Sequence, residues 1–254
     1  MMMNSVTPLS SSTAPSPLPT IGLIVPPASG AVPQDAATLY GTRIHFVARG
    51  LGIASISPAG FSPVMHSIVD KAKELRDLGA QSISLMGTSL SFYRGAAFAE
   101  ELRLMMEDAT GVPCTTMSHA VSSALRALQI RRVAVATAYT DELNTRLHAF
   151  LTLSGFEVTA MAGMSIDGVM EVAAVSTAEL IELARTVYLS RADADGILIS
   201  CGGLLTLDAI RILEKEFGVP VVASSPCGFW DVVRISSLSP AAPGYGRLFE
   251  TLPE

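Results

Sequence analysis

The tripeptide Gly-Val-Pro occurs twice in this chain, at 111–113 and at 218–220, each time between a helical pattern and a short strand-like run. It closes two copies of one alternation. In the first copy, apolar runs at 21–25, 43–47, 81–86 and 114–117 alternate with helical patterns at 35–40, 63–78, 96–109 and 118–128. In the second, runs at 131–136, 156–161, 196–200 and 221–224 alternate with patterns at 141–153, 177–189 and 207–217. The strand-like runs are short and nearly continuous, as strands buried on both faces are. The helical ones carry side chains such as Val64, Ile68, Ala72 and Leu75 on one face, with Gly79 as the stop. Alternating strands and helices with right-handed crossovers build parallel sheets covered by helices. The expectation is therefore an α/β chain of two pseudo-symmetric lobes, each a mostly parallel four-stranded sheet flanked by helices, facing one another across a cleft. The first lobe is expected over 20–130, completed by 225–254, and the second over 131–224; residues 1–19, rich in Ser, Thr and Pro, read as a disordered tail. Ser118 is expected to cap a helix, the stretch around Trp230 to be a helix packed on a lobe, and 243–249 to be a docking strap.

The third run of the second copy breaks into Cys201-Gly202-Gly203, so a thiol stands at the carboxyl end of a strand. Open α/β sheets bind ligands at that edge. Two glycines there let a ligand approach the backbone closely. In the first copy the same position holds Gly87, with Thr88 and Ser89 next, whose hydroxyls and N–H groups suit a carboxylate. The same two residues also suit a simple helix cap. Two thiols facing each other would move a proton on either face of a carbon, as a racemase does; this chain has one acid, Cys201, opposite a polar loop. Cys114 and Cys227 read as buried packing residues. Tyr139 ends the first strand of the second copy and so points at the same cleft. His45, His66, His119 and His148 stand in no ligand spacing, and Gly202-Gly203 matches neither the dinucleotide nor the P-loop pattern.

Composition narrows the classes further. The chain has 254 residues, 49% of them hydrophobic, and a net charge of -6. It carries no cluster of Lys and Arg interleaved with aromatics, which argues against nucleic acid, and no apolar run of about eighteen residues, so no membrane span is expected. Three cysteines without CxxC spacing suggest neither structural zinc nor a redox pair, and fit a reducing cytoplasm. No metal or other cofactor is expected, and nothing in the pattern calls for more than a monomer.

Several stretches carry a resemblance. Ile21-Gly-Leu-Ile-Val-Pro-Pro-Ala, Ser84-Leu-Met-Gly-Thr-Ser-Leu-Ser-Phe-Tyr-Arg-Gly-Ala-Ala-Phe, Val133-Ala-Val-Ala-Thr-Ala-Tyr, Ser200-Cys-Gly-Gly-Leu-Leu-Thr-Leu-Asp-Ala-Ile and Pro243-Gly-Tyr-Gly-Arg-Leu-Phe closely resemble the arylmalonate decarboxylase family. That family groups with the aspartate, glutamate and hydantoin racemases and the maleate isomerases, which use two cysteines. The resemblance implies an Asp/Glu racemase-like fold and cofactor-independent decarboxylation of α-aryl-α-methylmalonates to one enantiomer, the R series, of the α-arylpropionate. It implies a dioxyanion hole from Thr88, Ser89 and Tyr139 with backbone N–H groups at Ser89, Gly202 or Gly203, and Cys201 as the single proton donor. It also implies an apolar pocket of Pro26, Ile53, Ile56, Leu90, Val169 and Val172, with Phe61 nearby; isoleucine at 53 and 56, valine at 172 and phenylalanine at 61 depart conservatively from the family pattern. Two alternatives stay open beside it: a racemase or maleate-type isomerase, and a non-catalytic small-acid binding protein.

Overall fold

The computed structural model describes residues 18–191 and 193–250. The first half runs β1 (Thr20–Val25), α1 (Asp35–Tyr40), β2 (His45–Gly50), α2 (Pro58–Phe61), α3 (Ile68–Asp77), β3 (Ile83–Leu85), α4 (Thr88–Phe92), α5 (Ala96–Thr110), β4 (Cys114–Thr116) and α6 (Met117–Ala127). The second runs β5 (Arg132–Thr137), α7 (Asp141–Leu153), β6 (Glu157–Gly163), α8 (Val169–Ala173), α9 (Thr177–Ser190), β7 (Gly196–Ser200), α10 (Leu207–Phe217), β8 (Val221–Ala223) and α11 (Ser224–Ile235). Each half makes a four-stranded sheet, in the orders β2-β1-β3-β4 and β6-β5-β7-β8, with every pairing parallel. The α/β fold with two such sheets is the one the alternation led us to expect.

The repeat reaches single hydrogen bonds. Gly111 and Gly218 end α5 and α10 in the left-handed conformation, at φ 71° and 70°, which a glycine adopts without a Cβ clash. The carbonyls of Pro113 and Pro220 then accept from Ile83 and Ile197, each at 3.0 Å, which starts β4 and β8 beside β3 and β7. Seven residues upstream of each strand, Glu107 accepts from the Cys114 N–H and Glu214 from the Val221 N–H, both at 3.0 Å. The core derives from the continuous apolar runs: Ile21, Leu23, Ile24, Ile83, Leu85, Val133, Val135, Ile197, Leu198 and Ile199 are wholly buried. Burying each such side chain contributes about 1.5–3 kcal/mol.

Two late segments tie the halves together. Helix α11 packs on α6 and touches β3 and β4 of the first sheet as well as β7 and β8 of the second. Its fully buried Asp231 accepts from Thr115 Oγ1 at 2.5 Å and is held by Arg234 at 2.7 Å, so the charge is paired where it is buried. The segment after α11, which continues into the strap at 243–249, then crosses both halves. Pro240 and Ala241 carbonyls accept from Tyr40, the last residue of α1, and from Arg43 just beyond it, and Arg247 donates to Glu214 and to the Gly218 carbonyl at the end of α10.

Where the sequence-based boundaries differ, the reasons are local. The pattern at 63–78 splits into a 3-10 turn over Ser62–Ser67 and α3, because Pro63 cannot supply an N–H to an α-helix already begun. Thr116, not Ser118, caps α6: its Oγ1 accepts from the His119 N–H at 3.3 Å, and Ser118 lies in the first turn. Strand β2 starts at His45 and reaches Gly50, because its ladder with β1 is governed by register and not by hydrophobicity. The tail expected over 1–19 lies, apart from Leu18 and Pro19, outside the described residues. Among those described, no helix is long and apolar enough to cross a membrane.

Candidate active site

Strands β3 and β7 occupy equivalent places in the two sheets, and the segments leaving their carboxyl ends meet around one cavity of about 320 Å³. The first half lines it with Pro26, Ile53, Ile56, Phe61, Gly87, Thr88, Ser89 and Leu90. The second half supplies Val169, Val172, Cys201, Gly202 and Gly203. Every residue expected in the site is thus at the cavity except Tyr139. That side chain is wholly buried behind the wall; its hydroxyl accepts from Ser200 Oγ at 3.4 Å and lies close to Thr88, Ser89 and the Cys201 thiol. It stands beside Thr88, Ser89 and Cys201 and does not line the cavity itself.

The two strand tips lead into different backbone structures. Helix α4 begins directly after Gly87, so its first N–H groups have no intrahelical acceptor, and its first residues, Thr88, Ser89 and Leu90, line the cavity. Gly87 itself is the N-cap, without a side-chain cap hydrogen bond, so Thr88 and Ser89 do not cap this helix. Thr88 instead donates to the Met117 sulfur at 2.7 Å. A thioether is a weak acceptor, so this hydroxyl is easily redirected to an anion. After Cys201 a loop runs to Thr206 before α10 starts, and the N–H groups of Gly202 and Gly203 therefore come from a turn and not from a helix end.

Glycine at 87 is not demanded by the backbone, which is extended at φ −134°. A Cβ there would stand 3.1 Å from the Leu90 Cβ and 3.3 Å from its Cδ2, a crowding that a shift of a few tenths of an ångström relieves. The missing second thiol is a chemical difference between the halves, not a steric one. Gly203 is tighter, since a Cβ would meet the Val172 Cγ1 at 3.0 Å.

Burial dominates the electrostatics. No Lys, Arg or His lines the cavity among the described residues. Burial pushes the Cys201 thiol up to about 11, against the Gly203 N–H and the Tyr139 hydroxyl, which favour the thiolate. The thiol is therefore protonated at neutral pH. Cys114 and Cys227 are also buried and raised, Cys114 to about 12, but neither lines the cavity. Among the described residues, no group of three His, Cys, Asp or Glu is placed to hold a metal.

Sequence reasoning missed Asp35, Ser225 and Met117, all of which line the cavity. Topology holds the signal for Ser225: it comes after β8, the neighbour of β7, two residues past the registered pair Ile199 and Ala223, just as Cys201 comes two residues after Ile199. Nothing local marks Asp35, which looks like an acidic first-turn residue of a short helix.

Two parallel sheets of equivalent order, meeting at a cavity with a protonated cysteine on one strand tip, define an enzyme of the racemase-like α/β fold. The arylmalonate decarboxylase family model matches residues 21–249, and the chain belongs to that family and is a decarboxylase. It is 55% identical over 233 residues to an arylmalonate decarboxylase of Bordetella bronchiseptica, covering 91% of this chain and 97% of the relative. A liganded crystal structure of an arylmalonate decarboxylase mutant superposes with a TM-score of 0.90 at 54% identity, covering 91% of this chain and 99% of that one. That mutant exchanges a glycine for cysteine and a cysteine for serine, at positions as far apart in its chain as Gly87 and Cys201 are here. A maleate isomerase of Nocardia farcinica is 27% identical, covering 90% of this chain and 94% of the relative. The fold extends to the structure of a Nocardia farcinica maleate cis-trans isomerase bound to TRIS, with a TM-score of 0.84 at 22% identity, covering 91% of this chain and 98% of that one.

Proposed function

We propose that the protein decarboxylates α-aryl-α-methylmalonates without a cofactor and returns one enantiomer of the α-arylpropionate, the R series. The observation that carries the reading is a protonated thiol on one tip of a cation-free, largely apolar cavity, with hydroxyl and N–H donors on the other tip and glycine where a second thiol would stand. One carboxylate of the substrate is held by Thr88, Ser89 and the N–H groups of Ser89, Gly202 and Gly203, with Tyr139 bracing the hydroxyls from behind. The other carboxylate lies against Pro26, Ile53, Ile56, Leu90, Val169 and Val172.

That second carboxylate has lost water and gained no counter-ion, so conversion to neutral carbon dioxide relieves an unfavourable charge. The carbon–carbon bond breaks and its electron pair moves into the retained carboxylate and the ring, giving an enediolate. The donors preorganised around its two oxygens stabilise the charge as it develops. The Cys201 S–H then delivers its proton to one face of the carbon, and the thiolate recovers a proton from water. A single acid gives a single hand. The isomerase alternative would need an attacking thiolate or a second thiol at position 87.

The reading is tested by carbon dioxide release from phenylmalonate and α-methyl-α-phenylmalonate by metal-free protein, with chiral analysis of the second product. Release with one enantiomer in large excess supports it; no release from either substrate overturns it.

The pH profile is set by the thiol. The acid form is required, and burial raises its pKa to about 11, so kcat/KM is expected to hold through pH 9 and fall only as pH rises through about 10–11. A solvated thiol would give the fall near pH 8.5. An alkaline limb at that lower value would show that a different group, or an exposed thiolate, controls the reaction.

A further inference from the structure

The polar groups of the cavity form two sets. Thr88, Ser89, Gly202, Gly203 and Cys201 are taken up by the retained carboxylate and the proton transfer. Asp35 and Ser225 are not. Asp35 opens α1, is only 5% exposed, and is the one carboxyl among the described residues lining the cavity. Its Oδ2 accepts from Ser225 Oγ at 2.9 Å, a contact spanning 190 residues of sequence, and its Oδ1 has no hydrogen-bond partner among the described residues. A first-turn acid serves the helix dipole equally well from an exposed position. Its burial in an apolar wall is what requires a reason, because a buried carboxyl is costly until its hydrogen bonds are made. Burial raises its pKa and the Ser225 hydroxyl opposes that rise, and the second oxygen keeps acceptor capacity that a ligand in the cavity can use.

We infer that Asp35, positioned by Ser225, is a specificity-determining acceptor that takes a hydrogen bond from a donor on the substrate's aromatic ring, a phenolic hydroxyl or an arylamine, and keeps the malonate carboxylates away from its own end of the cavity. This rests on the decarboxylase reading and names its substrate class: arylmalonates whose ring carries a donor. A site built around an unpaired acceptor favours a ligand that supplies the missing hydrogen over an analogue that cannot. Unsubstituted rings are then substrates that leave Oδ1 unsatisfied.

The test compares hydroxyphenylmalonate with methoxyphenylmalonate at the meta and para positions, because the two substituents affect the ring electronically in similar ways and only one donates. In the wild type the hydroxy substrate is expected to exceed the methoxy one in kcat/KM by roughly tenfold or more at the position that reaches Asp35. Asp35→Leu is expected to lower that ratio about tenfold, and Asp35→Asn, which keeps an acceptor without the charge, to lower it less. A ratio is insensitive to the fraction of folded enzyme, and the asparagine variant covers the case in which leucine prevents folding. The same pairs are compared by calorimetry as hydroxyphenylacetate and methoxyphenylacetate, which cannot decarboxylate. A protein that turned over no arylmalonate would thus count against the decarboxylase reading, while the binding ratio still decided the role of Asp35. Equal ratios in wild type at both positions, or ratios unchanged in both variants, overturn the inference.

Discussion

Replacing Cys201 by serine is expected to lower kcat for arylmalonate decarboxylation by about a thousandfold, within the range of 10²–10⁴ that a positioned general acid supplies. The substitution keeps the size of the side chain and its place at the tip of β7, so the carboxylate donors and the apolar wall stay as they are. What changes is the acid. The thiol, even pushed up to about 11, is far more acidic than an aliphatic hydroxyl and gives its proton to a carbon base more readily. KM is expected to move little, since binding uses the other residues. The residual product should lose enantiomeric purity, because water entering the cavity can protonate either face. The measurement is kcat, KM and enantiomeric excess for α-methyl-α-phenylmalonate in both proteins. Turnover within about fivefold of wild type, at undiminished enantiomeric excess, would mean that another group delivers the proton.

Removing one hydroxyl donor should cost nearly as much. For Ser89→Ala and for Thr88→Ala the expectation is a fall in kcat of about 10²–10³, the 2.7–4 kcal/mol typical of one donor to a developing oxyanion. These hydroxyls do not cap α4, whose N-cap is Gly87, so the alanine variants lose little helix stability. Thr88 gives up only a bond to the Met117 sulfur when it turns to substrate. The effect should appear in kcat more than in KM, because the charge on the retained carboxylate is larger in the enediolate than in the bound malonate. Equal loss in kcat/KM through KM alone would instead make these groups simple binding contacts. Tyr139→Phe offers a contrast. It deletes a hydroxyl that touches Thr88, Ser89 and Cys201 from behind, so it should act on both the donors and the thiol.

Much of this was legible in the chain because it is written in local patterns. Continuous apolar runs gave the buried strands, the repeated Gly-Val-Pro gave the two halves, and Cys201 with its two glycines marked a strand tip. The resemblance supplied the apolar residues, and the cavity brings them to one place, including Phe61. Strand ends and the cap of α6 were less legible, since they depend on register and on which hydroxyl reaches which N–H.

What the sequence determined by itself is periodicity and its consequences: the fold class, the duplication, the single thiol opposite Gly87. Only the tertiary structure decided the environment of those groups. The Cys201 thiol is protonated at neutral pH because burial removes it from water; Tyr139 stands behind Thr88 and Ser89 and does not line the cavity with them; and Asp35 meets Ser225 across 190 residues. Spacing along a chain fixes which face a side chain takes within its own helix or strand. Desolvation and hydrogen-bond partners depend on what packs from elsewhere, and no local pattern records that.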